Sequence, residues 1–248
     1  MDKALYIAMT GAKNNMLAQV SRSNNLANIN TAGFKAEFSQ ARARPVYYGD
    51  GAPTRAYATS ENQGTNFAHG PMMETGRDLD VAIEREGYFA VQLPDGSEAF
   101  TRAGALHIDA LGVLRNGSGL PLIGNGGPIA IPAAEKIDIA IDGTISIVPL
   151  GQGAEQPAVI DRLRLVNPPE NMLKKGDDGL FRVDVADFDV ENDASVRVVP
   201  GFLEGSNVNA VEELVGILSL SRQYEMQVKL MQTVKQNSES SARMLQSS

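Results

Sequence analysis

Few side chains in this sequence have the types and spacings that catalysis or metal binding requires. The two histidines, His69 and His107, lie far apart, one in a loop and one in a strand. They could pair as ligands or as acid and base, but a satisfied or exposed imidazole is the simplest reading of each. Asp78 and Asp80 have one residue between them; on a strand they would point the same way and could act as an acid–base couple, yet no partner group is identifiable. Lys174-Lys175-Gly176-Asp177-Asp178-Gly179 lacks the alternate oxygen ligands and closing Glu of a calcium loop and reads as a solvated turn. Gly124-Asn125-Gly126-Gly127 is followed by neither Lys-Ser/Thr nor a helix, so it is no phosphate loop. Gly-x-Ser-x-Gly does not occur. Cysteine is absent, which removes thiolate nucleophiles, disulfides and thiolate metal sites. Arg77, Arg85, Arg102 and Arg115 read as solvated or salt-bridged strand residues. No catalytic constellation emerges, and no cofactor or metal is expected.

Composition narrows the classes further. Hydrophobic content of 43% and charged content of 21% over 248 residues are ordinary for a folded protein of one large or two small domains. A net charge of −8 argues against a nucleic-acid partner. No apolar run is long enough to span a membrane. The opening residues lack the basic start and sustained apolar core of a secretory signal, which points to a cytoplasmic chain or one that leaves the cell without a cleaved signal.

The most informative stretch is Ser23-Asn24-Asn25-Leu26-Ala27-Asn28-Ile29-Asn30-Thr31-Ala32-Gly33-Phe34, four asparagines interleaved with three large apolar residues. Asn and Gly both tolerate the left-handed backbone that ends a helix. The helix they end covers residues 3 to about 28. Leu5, Met9, Ala12, Met16 and Val20 recur at spacings of four, three, four and four. Its polar face carries Asn14, Asn15, Gln19, Ser21, Ser23 and Asn24 rather than charges, as expected where another helix covers it.

Lys35 to about Thr75 shows no clear regular structure and reads as a long linker whose Lys35, Arg42 and Arg44 form a mildly basic patch. From Arg77 to Val199 the texture changes to short alternating runs. Residues 88–93 and 99–102 flank Pro94-Asp95-Gly96-Ser97; residues 106–108 and 113–114 flank Asp109-Ala110-Leu111-Gly112; residues 137–141 and 144–148 flank Asp142-Gly143. These are hairpin signatures, and residues 162–166 and 180–183 add strands to an antiparallel domain. From Asn209, capped as Asn209-Ala210-Val211-Glu212, the chain is helical again. Ile217, Leu220, Tyr224, Met231, Val234 and Leu245 share one heptad frame with the polar Gln227, Ser238 and Ser241. A helix of this length extends about 55 Å, further than a domain of ~120 residues covers.

The expected fold is α+β. N- and C-terminal helices pair as an antiparallel coiled-coil-like arm, with an antiparallel all-β domain inserted between them. The expected segments are a helical arm over 1–34, an extended linker over 35–75, the β domain over 76–203 and a second arm over 204–248 that packs with the first. Two helices cannot cover broad apolar surface on both sides, so polymerisation is expected.

With that order in hand, three stretches resemble one family, the rod and hook proteins of the bacterial flagellum. Ser23 to Lys35 resembles its N-terminal signature nearly residue for residue. Leu79-Asp80-Val81-Ala82-Ile83, Gly87-Tyr88-Phe89, Phe100-Thr101-Arg102-Ala103-Gly104 and Asp109-Ala110-Leu111-Gly112 resemble the start of its β domain. Leu203 to Asn209, Glu212-Glu213-Leu214 and Arg222-Gln223-Tyr224-Glu225 resemble its C-terminal signature. Within the family, the length, the short middle region and the Arg42-Ala43-Arg44-Pro45 run are most similar to proximal-rod members, with distal-rod or hook-type subunits as the alternative.

The resemblance implies a structural, non-enzymatic subunit of the basal-body rod, exported unfolded through the flagellar type III apparatus and polymerised in the periplasm into the drive shaft that carries torque to the hook. It implies partners among other copies, proximal and distal rod subunits and the export apparatus, with the surrounding periplasmic ring a further candidate. The terminal helices would form an inner tube and the β domain an outer layer, and the ends of the free chain would order on assembly. The residues expected to carry assembly are Leu5, Met9 and Met16 on the first helix and Asn24, Asn25, Leu26, Asn28, Gly33 and Phe34 at its corner. Glu204, Ser206, Asn207, Val208 and Asn209 form its counterpart corner, expected at the same end, and Leu214, Ile217, Leu220, Arg222, Tyr224 and Glu225 follow on the second helix. Asn25→Leu or Gly33→Val is expected to spare the β fold and abolish assembly. Competing readings are a β-domain binder or enzyme acting on cell-wall material, which needs an acid–base pair, and a soluble coiled-coil adaptor, which needs a stricter heptad with charged flanks.

Overall fold

A computed structural model describes residues 2–39, 41–47, 51–60, 64–150, 157–183 and 190–246; the Leu245 side chain of the heptad frame lies outside what is described. The chain divides into two units: Met1–Ile29, Ala36–Asn66 and Val208–Ser248 make the first, Asn30–Lys35 and Phe67–Asn207 the second.

In the first unit, helix α1 spans Asp2–Ala27 and helix α2 spans Ala210–Gln246. The asparagine run stops α1 as its chemistry dictates. The Asn28 amide is shared between the carbonyls of Asn24 (3.2 Å) and Asn25 (3.0 Å), while its side chain donates to the Asn24 carbonyl at 2.9 Å. At the start of α2, the Asn209 side-chain oxygen accepts from the amides of Val211 (3.1 Å) and Glu212 (3.4 Å), which is the expected N-cap. The two helices run antiparallel. Gly11 lies against the Gln227 side chain, Arg22 against Gly216, and Arg22 pairs with Glu213. Continued at that register, α2 outruns the start of α1 by roughly ten residues, about 15 Å.

The face of α1 turned to α2 is small. Gly11 lies there against Gln227; beside it Ala8 and Ala12 are, among the described residues, the only fully buried apolar side chains of this unit. The heptad frame of α2 supplies the bulk: Ile217, Leu220, Gln227, Met231 and Val234 are all half-buried. The unit also contains strands β1 (Glu37–Phe38), β2 (Ala41–Val46), β3 (Arg55–Ser60) and β4 (Gly64–Thr65), with β1 paired to β4 and β2 to β3. The segment read as irregular thus carries a six-residue ladder. Its strands alternate Ala with Arg, Tyr or Thr and include Pro45, which a two-stranded ribbon tolerates because each strand is an edge.

The second unit is antiparallel β. Its strands are β5 (Met72–Glu74), β6 (Val81–Ile83), β7 (Tyr88–Gln92), β8 (Glu98–Thr101), β9 (Leu106–Ile108), β10 (Leu114–Asn116), β11 (Ile123–Gly124), β12 (Gly127–Pro128), β13 (Ala134–Ile139), β14 (Thr144–Pro149), β15 (Ala158–Arg162), β16 (Leu165–Val166), β17 (Leu173–Lys175), β18 (Phe181–Val183), β19 (Val198–Pro200) and β20 (Phe202–Glu204). The largest sheet has the order β16-β7-β8-β18-β17, a second has β13-β14-β15, and β9–β10, β11–β12, β6–β19 and β5–β20 form pairs. Strand β7 shows why residues 88–91 read as continuously apolar. Phe89 and Val91 join one core cluster with Val81, Leu106, Ile145 and Leu165, while Tyr88 and Ala90 join another with Phe100, Val166 and Phe181. Both faces of the strand are covered, so alternation disappears.

The three turns named from sequence close three hairpins. At the third, Gly143 takes φ +83° and the Asp142 side chain accepts from the Thr144 amide at 3.1 Å. Residues 162–166, read as one strand, are instead divided between β15 and β16, which belong to different sheets.

Candidate assembly interface

On α1 most of the large apolar side chains are exposed, and Leu5 alone of the predicted set lies beside α2. Leu5, Met9 and Met16 are 36%, 48% and 60% exposed, and Tyr6, Leu17 and Val20 are exposed with them. Leu5 also borders a groove of about 400 Å³ lined by Val228, Met231, Val234, Lys235 and Ser238. On α2, Leu214 is exposed together with Val211, Val215 and Leu218. Ile217 and Leu220 lie on the half-buried side, Tyr224 is more exposed, and Arg222 and Glu225 are solvent-facing. Leu26 and Val208 are half-buried, Asn24 and Asn209 exposed. The expected interface residues therefore fall into two sets, those that join α1 to α2 and those that neither helix covers.

A polar anchor organises the first unit. Asn25 is buried and uses every hydrogen-bonding atom of its amide: Nδ2 donates to the Glu37 carbonyl (2.7 Å) and to Glu213 Oε1 (2.9 Å), and Oδ1 accepts from the Glu37 amide (2.9 Å). Arg22 Nη1 holds the other Glu213 oxygen at 2.9 Å. One side chain thus ties α1, β1 and α2 together.

A second anchor lies within the β unit and gathers Gly33, Phe34, Lys35, Glu204, Ser206 and Asn207. Lys35 is 1% exposed. Its ammonium donates to Glu204 Oε1 (2.7 Å) and to the Ala68 carbonyl (2.8 Å). Glu204 Oε1 also accepts from the Gly70 amide at 3.0 Å, and its other oxygen faces Arg102 Nε at 3.1 Å as an ion pair. Arg102 further donates to His69 Nδ1 (2.7 Å) and to the Arg85 carbonyl, and lies over the Tyr88 ring. Main-chain bonds close the cluster: Gly33 N to Glu204 O at 2.8 Å and Asn207 N to Phe34 O at 3.3 Å. The Asn207 side chain reaches the Ala68 carbonyl at 2.8 Å. Lys175 caps it, donating to the Lys35 carbonyl (2.8 Å) above the Phe34 ring. Phe34 and Ser206 are buried within it.

Burial sets the electrostatics of this cluster. Desolvation lowers the pKa of Lys35 and of Arg102 against the opposing pull of Glu204, and raises the Tyr88 hydroxyl to about 12. His69 is lowered first by burial and then by the neighbouring Arg102 cation.

Three readings of the sequence are corrected here. Lys35 is no part of a basic surface patch; it is buried and paired with an acid 169 residues away. Asp78 and Asp80 do not share a strand: Asp78 sits exposed in a turn, while Asp80 is buried and paired with Arg77 at 3.0 Å. Gly33→Val cannot spare the β unit, because Gly33 has φ +70° and an added Cβ would come within 2.6 Å of the Arg102–Ala103 backbone. Asp178 pairs with Arg182 at 2.6 Å in the β17–β18 turn, as a solvated turn would. No cluster of three metal-ligating side chains exists among the described residues.

A family described as "Flagellar basal body rod FlgEFG protein C-terminal" matches residues 199–244, and one described as "Flagellar hook protein FlgE/F/G D1 domain" matches residues 82–147. The chain is 40% identical over 242 residues to the flagellar basal-body rod protein FlgF of Escherichia coli (strain K12), covering 96% of each. It is 39% identical over 243 residues to the FlgF of Salmonella typhimurium, again at 96% of each. It is also 32% identical over 268 residues to the flagellar basal-body rod protein FlgG of Buchnera aphidicola from Acyrthosiphon pisum, covering 95% of this chain and 97% of that one.

Proposed function

The chain belongs to the FlgF-like flagellar basal-body rod proteins, and from that membership we propose that it is a structural subunit of the proximal rod, polymerising through α1 and α2 into a torque-bearing shaft. The observation that carries the polymerising role is the inverted amphipathicity of α1. Gly11 faces the partner helix and Ala8 and Ala12 beside it are buried, whereas the large Met9, Met16 and Val20 are exposed. Water leaves such a stripe uncovered at a cost of about 1.5–3 kcal/mol per large side chain, and a neighbouring subunit's helix removes that cost. The exposed Val211, Leu214, Val215 and Leu218 of α2 form a second such surface. The coiled-coil-like pairing of the helices gives each subunit an arm, and the Asn25 anchor ties α1, β1 and α2 together within it. Partners are further copies and other rod subunits, and the place of work is the basal body.

The test is to put a charge on each stripe in E. coli lacking its own FlgF. This chain carrying Leu5→Asp, Met16→Asp or Leu218→Asp should keep its far-ultraviolet circular dichroism and lose rod incorporation. Incorporation at the unsubstituted level would overturn the interface.

A further inference from the structure

We propose that Met9 and Met16 form an oxidation-sensitive pair on the outward face of α1, and that converting their thioethers to sulfoxides bars the chain from entering a rod. The inference rests on the assembly reading above. The chain has nine methionines and no cysteine, so methionine is its only readily oxidised sulfur. Met9 and Met16 are two helical turns apart on one line with Leu5 and Val20, 48% and 60% exposed. Met231 is different: it sits on the half-buried seam of α2.

The chemistry is a two-electron oxygen transfer from a peroxide. A sulfur lone pair attacks one peroxide oxygen and the O–O bond breaks. That oxygen becomes the sulfoxide oxygen, and the other departs with both protons as water; sulfur is oxidised and peroxide reduced. The product replaces a flexible apolar end with a strong hydrogen-bond acceptor. An apolar contact offers that oxygen no donor, so burying it is unfavourable. Two such groups on one stripe act together on one contact. A free subunit is open to this reaction, and a subunit whose stripe is covered is protected.

Two measurements test it. The purified full chain is treated with hydrogen peroxide at neutral pH, quenched with free methionine and mapped by peptide mass spectrometry. Met9 and Met16 should gain oxygen at least about fivefold faster than Met231; equal rates overturn the proposal. In E. coli lacking its own FlgF, the chain with Met9→Leu and Met16→Leu should form rods normally, and rod growth should resist peroxide. The chain with Met9→Gln and Met16→Gln keeps helix propensity but should lose rod formation about tenfold or more, as a polar end buried without a partner requires. Rods from the Gln pair at the Leu-pair level overturn the inference. If Leu5→Asp also assembles normally, the interface itself has failed. If Leu5→Asp blocks assembly and the Gln pair does not, only the oxidation site has failed.

Discussion

Glu204 lies at the centre of the buried polar network of the β unit. Its carboxylate meets two buried cations and a main-chain amide, and its carbonyl receives Gly33. Removing one partner of a buried ion pair costs about 3–5 kcal/mol because the remaining charge stays desolvated. Glu204→Gln should therefore destabilise the β unit by about that much in urea unfolding, and an unchanged midpoint would refute the anchor. His69 gives the cluster a pH dependence. Arg102 donates to its Nδ1, which requires a neutral ring, and its folded pKa lies below the ordinary 6.5. The unfolded chain then takes up the proton first as pH falls. Stability is complete above about pH 6.5 and declines as pH drops from there toward the lowered folded value. Lys35 adds to the lowering, while Glu204 and Glu86 pull the other way. The melting temperature of the wild type should fall more between pH 7 and 5 than that of His69→Gln; parallel curves would contradict this. The sequence displayed the corner but hid the anchor. Asn25, Gly33 and Asn207 announce themselves by residue type, whereas a buried lysine is recognisable only once its distant acid is known.

At the scale of elements, the helices were legible in extent and in heptad frame, because periodicity and caps are local. The side of α1 that meets α2 was legible only in part. The uncharged polar face was expected to be covered by another helix, and the Nδ2 atoms of Asn14 and Asn15 are buried, but nothing in the spacing singled out Gly11, which lies against Gln227. The β2–β3 ribbon was also hidden, since Ala and Arg carry little strand propensity. The consequence is a helical unit with almost no apolar core of its own. Its order in the free chain depends on polar ties such as Asn25. Hydrogen exchange of the monomer should show the amides of α1 and α2 exchanging well before those of β7 and β14; equal protection would mean that the arm is stable alone. Asn25→Leu removes three hydrogen bonds, leaving Glu213 held by Arg22 alone among the bonds described above, and should cost about 1–3 kcal/mol, read as faster exchange across residues 2–27 with the β unit unchanged.

The whole molecule divides its charge as sharply as its structure. The β unit holds 22 acidic side chains against 12 basic ones, while the helical unit holds 8 against 10. Self-repulsion between helical units is therefore weak, which suits surfaces that pack against one another. Two chemistries then coexist in one chain: a β unit with a closed core and a buried ion network, and a helical unit whose apolar surface is left for neighbours. The most direct test is electron microscopy of basal bodies purified from E. coli lacking its own FlgF and supplied with this chain, tagged at the exposed Gly126 turn. The account predicts label confined to the rod and rods that depend on the chain. Diffuse label, or equally many rods without the chain, would contradict it.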